Sequence, residues 1–257
     1  MLTIVDGDAR VIDGVRCLAA VPGLRLSAQT LVETGPQLRL LRVEWPDGSV
    51  ADFGPDTHAM LSPVGFGQRE QRAPAFYLLR GWVKHSAMGS APTGGHISLG
   101  VDVQTFKGAV VSFAGPVESW VFLESGSARI VERYGRNSAL QALKSGEVYL
   151  RAGLDKGSVA PQPSSAQLQR VPRGFRDTLP TRSAAFKDQA VAGKPLPLPT
   201  YAEMRGWLTA EPALRKSFPL RFAARTREPA FREAMLARIA EHPEWSSVLH
   251  PQTAASR

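Results

Sequence analysis

Five histidines, His58, His85, His96, His242 and His250, are the residues best placed by type for acid–base work or metal binding. None pairs with another in H-x-x-x-H or H-E-x-x-H spacing, so no metal site is expected. Cys17 is the one thiol. It would need a histidine brought close by the fold to act as a nucleophile, and on an alternating strand it reads as a small buried side chain. One cysteine makes no internal disulfide, and no C-x-x-C pair occurs for zinc. No G-x-S-x-G nucleophile elbow is present. Gly65-Phe66-Gly67 lacks the third glycine and the following amphipathic helix of a phosphate cradle. Glu118 and Glu124 are ordinary for a strand-rich surface. The expectation is a protein that is not an enzyme, with no catalytic, cofactor-binding or metal residues and no cofactor. A β fold could still carry dispersed reactive residues.

The elements that must carry these residues divide the chain of 257 residues by charge. Residues 1–150 hold 14 Lys+Arg and 14 Asp+Glu, a net of zero. Residues 151–257 hold 17 and 9, so the whole excess of +8 lies in the second part. A basic face attracts nucleic acid, anionic lipid or an acidic protein. At 43% hydrophobic and 21% charged residues, the composition excludes wholesale disorder. No run of about eighteen uncharged apolar residues exists, so no helical membrane span is expected. Met1 to Arg10 has no apolar signal-peptide core. The protein is then either cytosolic or has lost a signal segment.

The first 150 residues read as strands and turns. Leu41, Val43 and Trp45 alternate with Arg42 and Glu44, the period of a half-buried strand. Trp45-Pro46-Asp47-Gly48 supplies a turn, and Val50, Ala51 and Phe53 a return strand. Asp13-Gly14 marks a second hairpin. Further strands are expected at Thr30 to Thr34, Phe76 to Lys84, Ile97 to Val103, Ala109 to Phe113, Trp120 to Glu124, Ala128 to Glu132 and Glu147 to Leu150. No amphipathic helix of three turns appears before residue 190. Trp82 and Trp120 are expected to pack in the core.

The order of these pieces resembles a FecR-type domain, the extracytoplasmic module of iron-dicitrate sensing regulators and of many bacterial envelope proteins. Val5-Asp6-Gly7-Asp8-Ala9 opens the pattern. Val21-Pro22-Gly23-Leu24, Thr30 to Thr34 and Leu40 to Ser49 with its P-D-G-S turn follow, then Asp52-Phe53-Gly54-Pro55-Asp56-Thr57. Leu78-Leu79-Arg80-Gly81-Trp82-Val83 is similar to the family's L-x-x-G-x-V strand. Phe122 to Ala128 and Leu143-Lys144-Ser145-Gly146-Glu147 match its closing pieces. The family's T-P-x-x-x-x-x-V-R-G-T run is largely lost at Gly100 to Ala109. The resemblance implies a mainly β fold of stacked short strands, a sandwich or β-solenoid-like domain, over residues 1–157. It implies no catalytic residues.

Seven prolines between Pro161 and Pro199 exclude long helices there. Residues 158–199 are expected as a Pro-rich extended linker, with Pro195-Leu196-Pro197-Leu198-Pro199 lying on the protein. Residues 200–250 are expected as a small C-terminal region of short helices. Thr200-Tyr201-Ala202-Glu203 is a capping box, opening a helix to about Ala210. Glu211-Pro212, Glu228-Pro229 and His242-Pro243 read as further helix starts. Pro219 is expected to break the second helix after Phe218. Phe231, Met235 and Ile239 form one buried stripe. Arg215, Lys216, Arg221, Arg225, Arg227 and Arg232 are expected to form a basic, partner-binding surface. Aromatics are not interleaved there, so nucleic acid is disfavoured.

The expectation that follows is a non-catalytic bacterial envelope module, periplasmic or secreted. It would bind a protein partner or cell-surface polymer in a signalling or structural assembly. The alternative is a small-ligand sensor, because Leu143 to Tyr149 also resembles the L-x-x-G-E-x-[FY] piece of cyclic-nucleotide-binding and cupin folds. A pocket with an inward arginine would favour the sensor. A filled core with an exposed sheet edge would favour the first reading.

Overall fold

Strand β8, Phe76–Ala87, organises the molecule, because it belongs to two layers at once. The computed structural model describes residues 1–64, 74–88, 93–134 and 137–249. Before β8 come β1 (Leu2–Asp6), β2 (Ala9–Asp13), β3 (Arg16–Ala19), β4 (Leu31–Thr34), β5 (Leu40–Glu44), β6 (Val50–Phe53) and β7 (His58–Leu61). After it come β9 (Thr93–Ile97), β10 (Val101–Ala114), β11 (Glu118–Tyr134), β12 (Asn137–Lys144), β13 (Val148–Ala152), β14 (Ser158–Ala160) and β15 (Pro195–Leu196). The first part of β8 pairs with β7 and runs parallel to β9, while its second part pairs with β6 and β10. It changes layer at Gly81, whose φ is +93°. A Cβ there would sit 2.5 Å from the Thr57 Cα, so only glycine lets the strand cross so close to its neighbour. The fold is mainly β, with short helices at the C-terminal end.

The layers enclose a core of Leu2, Val32, Leu41, Val43, Phe53, Phe76, Leu78, Val83, Val121, Ile130 and Tyr149, all buried. Parts of the outer faces are covered by later chain. Six short helices lie in this later part: α1 (Ser165–Arg170), α2 (Tyr201–Leu208), α3 (Pro212–Arg215), α4 (Phe218–Arg221), α5 (Pro229–Leu236) and α6 (Ser246–Leu249). Met204, Trp207, Leu214, Phe218, Phe231, Met235 and Trp245 pack with Ile12, Cys17, Leu31, Met60 and Tyr77 of the sheet. Phe175 packs with Leu40, Trp82, Val111, Trp120 and Val148 on another face. Trp82 and Trp120 meet edge to face at 5.1 Å, as packing residues. No helix among the described residues is long and apolar enough to cross a membrane.

Several local expectations change. Arg42 and Glu44, expected to face water, are buried, because residues 179–183 cover that face of β5. The strand expected over Ile97 to Val103 is two strands, split where Leu99 and Gly100 take positive φ. The strands expected at Trp120 to Glu124 and Ala128 to Glu132 are one, β11. Gly126 does not turn the chain. It faces Gly108 across a bulged ladder, and a Cβ on either glycine would strike the opposite backbone at 2.0 Å or less. Pro219 does not end a helix: the preceding helix stops at Arg215, and Pro219 lies in the first turn of α4. The stretch 158–199 carries α1, two 3-10 turns and β15, which pairs with β3. The capping box of Thr200 and Glu203 opens α2 as its pattern requires.

Candidate functional site

The six basic residues of the C-terminal region do not form one exposed face. Arg225 is buried and donates to the Pro199 carbonyl at 2.7 Å and to Glu228 at 3.0 Å. Arg221 donates to the Ile12 carbonyl, and burial lowers its pKa to about 10. Arg215 donates to the Glu241 carbonyl and Arg232 to the Leu249 carbonyl. Only Lys216 and Arg227 of the six are exposed. The cause is geometric: arginine N–H groups are drawn to carbonyls at short-helix ends, Glu241 and Leu249, and to those of the sheet and the chain entering α2, Ile12 and Pro199.

Two polar networks join the helices to the sheet. In the first, the buried Glu33 on β4 accepts from Arg10 at 2.7 Å and from the Trp207 indole of α2 at 2.8 Å. Arg10 also bonds Glu203 at 2.9 Å. His58 stacks on Trp207, with its Nδ1 3.7 Å from Glu33. Arg10, Glu33 and His58 border a shallow cavity of about 470 Å³. Burial lowers the His58 pKa, so the ring is neutral. Arg80 can only donate, so Nε2 of His58 accepts from it at 2.9 Å. Its basic lone pair is therefore occupied.

In the second network, His96 bonds Asp102 through Nδ1 at 2.5 Å and Glu211 through Nε2 at 3.1 Å. Arg133 donates to Asp102 at 2.6 Å. Glu211, preceding Pro212 of α3, also accepts from the Gly100 amide and from the Tyr77 hydroxyl. Burial opposes a charge on His96, but the two carboxylates outweigh it and raise its pKa. Both ring nitrogens then donate, and the imidazolium acts as a clamp.

The other described histidines are sealed in. His85 is buried, with its pKa lowered by desolvation to about 4. His242 is buried and bonded to Tyr201 and the Leu208 carbonyl. His250 and Gly65-Phe66-Gly67 lie outside the described residues. Cys17 is buried, and burial raises its pKa. Among the described residues no group of three or more His, Cys, Asp or Glu is placed to hold a metal ion.

A cleft lies between β1, the Leu38–Leu40 stretch and residues 172–182, with a volume of about 670 Å³. That is within the usual range for ligand sites. Ile4, Leu38 and Leu40 supply apolar surface. Arg39 stands on one side, and Arg173 and Arg182 on the other, all exposed. Asp6 and Asp177 also line it, so the cleft keeps one net positive charge, three less two.

The covering wall is held by residues buried beneath it. Arg42 pairs with Asp52 at 2.6 Å and gives another N–H to the Leu179 carbonyl at 2.9 Å. Glu44 accepts the backbone amides of Arg182 and Ser183 at 2.9 Å each. Burial alone would raise the Glu44 pKa, but these amides and the Thr3 hydroxyl lower it. Lys84 donates to the Phe175 carbonyl, and Phe175 itself is buried. The cleft arginines were not singled out by sequence. The signal was the proline-rich stretch with leucines set between charges, but its docking place is more than a hundred residues away.

No family model matches the chain, and no curated protein matches it. Two crystal structures of a candidate anti-sigma factor from Parabacteroides distasonis ATCC 8503 are similar to it. The first, at 2.50 Å resolution, is 13% identical, covers 55% of this chain and 64% of its own, and has a TM-score of 0.42. The second, at 1.65 Å resolution, is 14% identical, covers 55% and 65%, and has the same TM-score of 0.42. The match therefore spans just under two thirds of each of those structures.

Proposed function

We propose that this protein is a non-catalytic module of the bacterial envelope, of the FecR type that its strand-and-turn order resembles. It works in the periplasm or outside the cell. There it binds a protein partner or cell-surface polymer in a signalling or structural assembly. The observation that carries the reading is the arginine-edged cleft, built on an apolar floor by a wall anchored to Arg42, Glu44 and Lys84. The cleft suits an extended ligand with carboxylate groups, because arginine meets carboxylates in a fixed fork while Ile4, Leu38 and Leu40 take apolar parts. The convergent titratable sets at Glu33 and His96 support the same reading, since their hydrogen-bonding capacity is spent on joining helix to sheet. Among the described residues, apolar side chains of both layers meet in one buried cluster, which favours a binding surface over an interior sensor pocket.

The test is a titration of the full chain with poly-glutamate. Wild type is expected to bind in a salt-dependent way, and the Arg39→Glu/Arg173→Glu/Arg182→Glu variant about tenfold or more weaker. Equal binding by a folded variant would refute the site. Cell fractionation that places the mature protein in the cytosol would refute the compartment.

A further inference from the structure

Strand β12 is an outer strand, paired to β11 along one edge only. Among the described residues, no backbone hydrogen bond forms on its other edge between Ser138 and Leu143. An open edge is a template for another strand, and proteins usually guard it with proline, bulges or lysine. β12 has no proline, and its one lysine, Lys144, stands at its end.

Its outward face carries apolar and basic groups. Leu140 is 64% exposed. Ala142 lies opposite Arg129 in the ladder, and Lys144 opposite Ser127. Arg129 and Lys144 are exposed and make no ion pair with any described residue. The Arg129 guanidinium stands 4.8 Å from the centre of the Phe106 ring. The acid on this face of β10, Asp102, is already bonded by His96 and Arg133.

We infer that β12 is a strand-addition site for an extended segment of a partner protein in which acidic residues alternate with apolar ones. The added strand would take the free backbone groups of the edge. Its two-residue period would set one row of side chains beside Leu140, Arg129 and Lys144. Carboxylates in that row meet the unpaired cations, and apolar neighbours cover Leu140. A second copy of this chain fits poorly. Two antiparallel β12 strands keep the same face of both sheets on one side, and would merge two basic surfaces. The site uses none of the cleft residues and does not rest on the cleft's role.

The experiment uses the purified full chain and a fluorescent peptide of alternating Glu and Val, about eight residues long. Wild type is expected to raise its anisotropy. Three changes are each expected to weaken binding about tenfold or more: methylating alternate peptide nitrogens, replacing Glu with Lys, and the exposed Arg129→Glu/Lys144→Glu substitution. The cleft also suits acidic extended chain, so the comparisons are made in the cleft variant Arg39→Glu/Arg173→Glu/Arg182→Glu, where the binding that depends on Arg129, Lys144 and the peptide nitrogens is expected to persist. In that variant, absence of binding or equal affinity for the methylated peptide would overturn the inference. So would a wild-type dimer in sedimentation that Leu140→Lys dissociates, because a second copy would then own the edge.

Discussion

Glu211 and His96 stand 115 residues apart in the chain and meet at 3.1 Å, tying the N-cap of α3 to strand β9. Asp102 holds the other nitrogen of the same ring. Burial opposes charge on all three, yet the mutual attraction prevails: His96 is raised, and Asp102 and Glu211 are lowered. Glu211→Gln keeps an acceptor and removes the charge. It is expected to cost about 1–3 kcal/mol near pH 6. The wild-type advantage is fully present above the ordinary carboxylate range and below the ordinary imidazole value. It shrinks as pH rises through the raised His96 value, and again as pH falls through the lowered Glu211 value. Denaturant unfolding of both proteins across pH checks this, and equal stability at pH 6 would contradict it.

His85 works with the opposite sign. Desolvation lowers its pKa from 6.5 to about 4. Between those values the unfolded chain binds a proton that the folded chain refuses, so stability falls as pH falls. The full effect is about 3 kcal/mol. His85→Leu is expected to flatten this acid-side slope. Denaturation midpoints of wild type and variant at pH 7 and 4.5 measure it, and an unchanged slope would count against the assignment.

The Arg42–Asp52 pair supports the cleft wall. Both side chains are nearly buried, at 5% and 7% exposure. Asp52→Ala leaves the guanidinium without its carboxylate and is expected to cost about 3–5 kcal/mol. Arg42→Met with Asp52→Leu removes both charges and is expected to recover most of that. The double variant still lacks the N–H that Arg42 gives Leu179. Residues 176–183 should therefore exchange amide protons faster, which hydrogen-exchange mass spectrometry would read. Wild-type protection of that stretch would separate Arg42 from the wall.

Trp207 is fully buried under the helical layer and bonds Glu33. Trp207→Phe keeps most of the packing and removes the donor, with an expected loss of about 1–3 kcal/mol. Trp207→Ala adds a cavity and is expected to lose about 3–5 kcal/mol. Thermal or denaturant unfolding of both variants orders them, and equal losses would mean that Glu33 gains nothing from the indole.

Local chemistry was legible where the cause is local. The Trp45-Pro46-Asp47-Gly48 turn forms because proline and a positive-φ glycine specify it, and Ser49 N–H bonds the Asp47 carboxylate. Thr200 and Glu203 cap α2 for the same reason. Arg42 and Glu44 misled because alternation reports two faces, not whether a distant segment covers the polar one. The continuity of β11 was not legible, because Gly126 stands between its two expected halves and one letter serves both a tight turn and a close backbone crossing. The partners of Glu33 and His96 are far away in sequence, at Trp207 and Glu211, and no spacing rule reaches them. The arrangement of the basic tail was not legible for a related reason: arginine count shows charge, while the carbonyls that take its N–H groups are brought near only in the folded chain.

The most direct test of the binding-module account is amide chemical-shift mapping of the full chain with poly-glutamate. The account predicts shifts concentrated at Arg39 and Leu40 and through residues 173–182, with the amides of Glu33 and His58 unmoved. Shifts centred on Glu33 and His58, with the cleft amides silent, would contradict it.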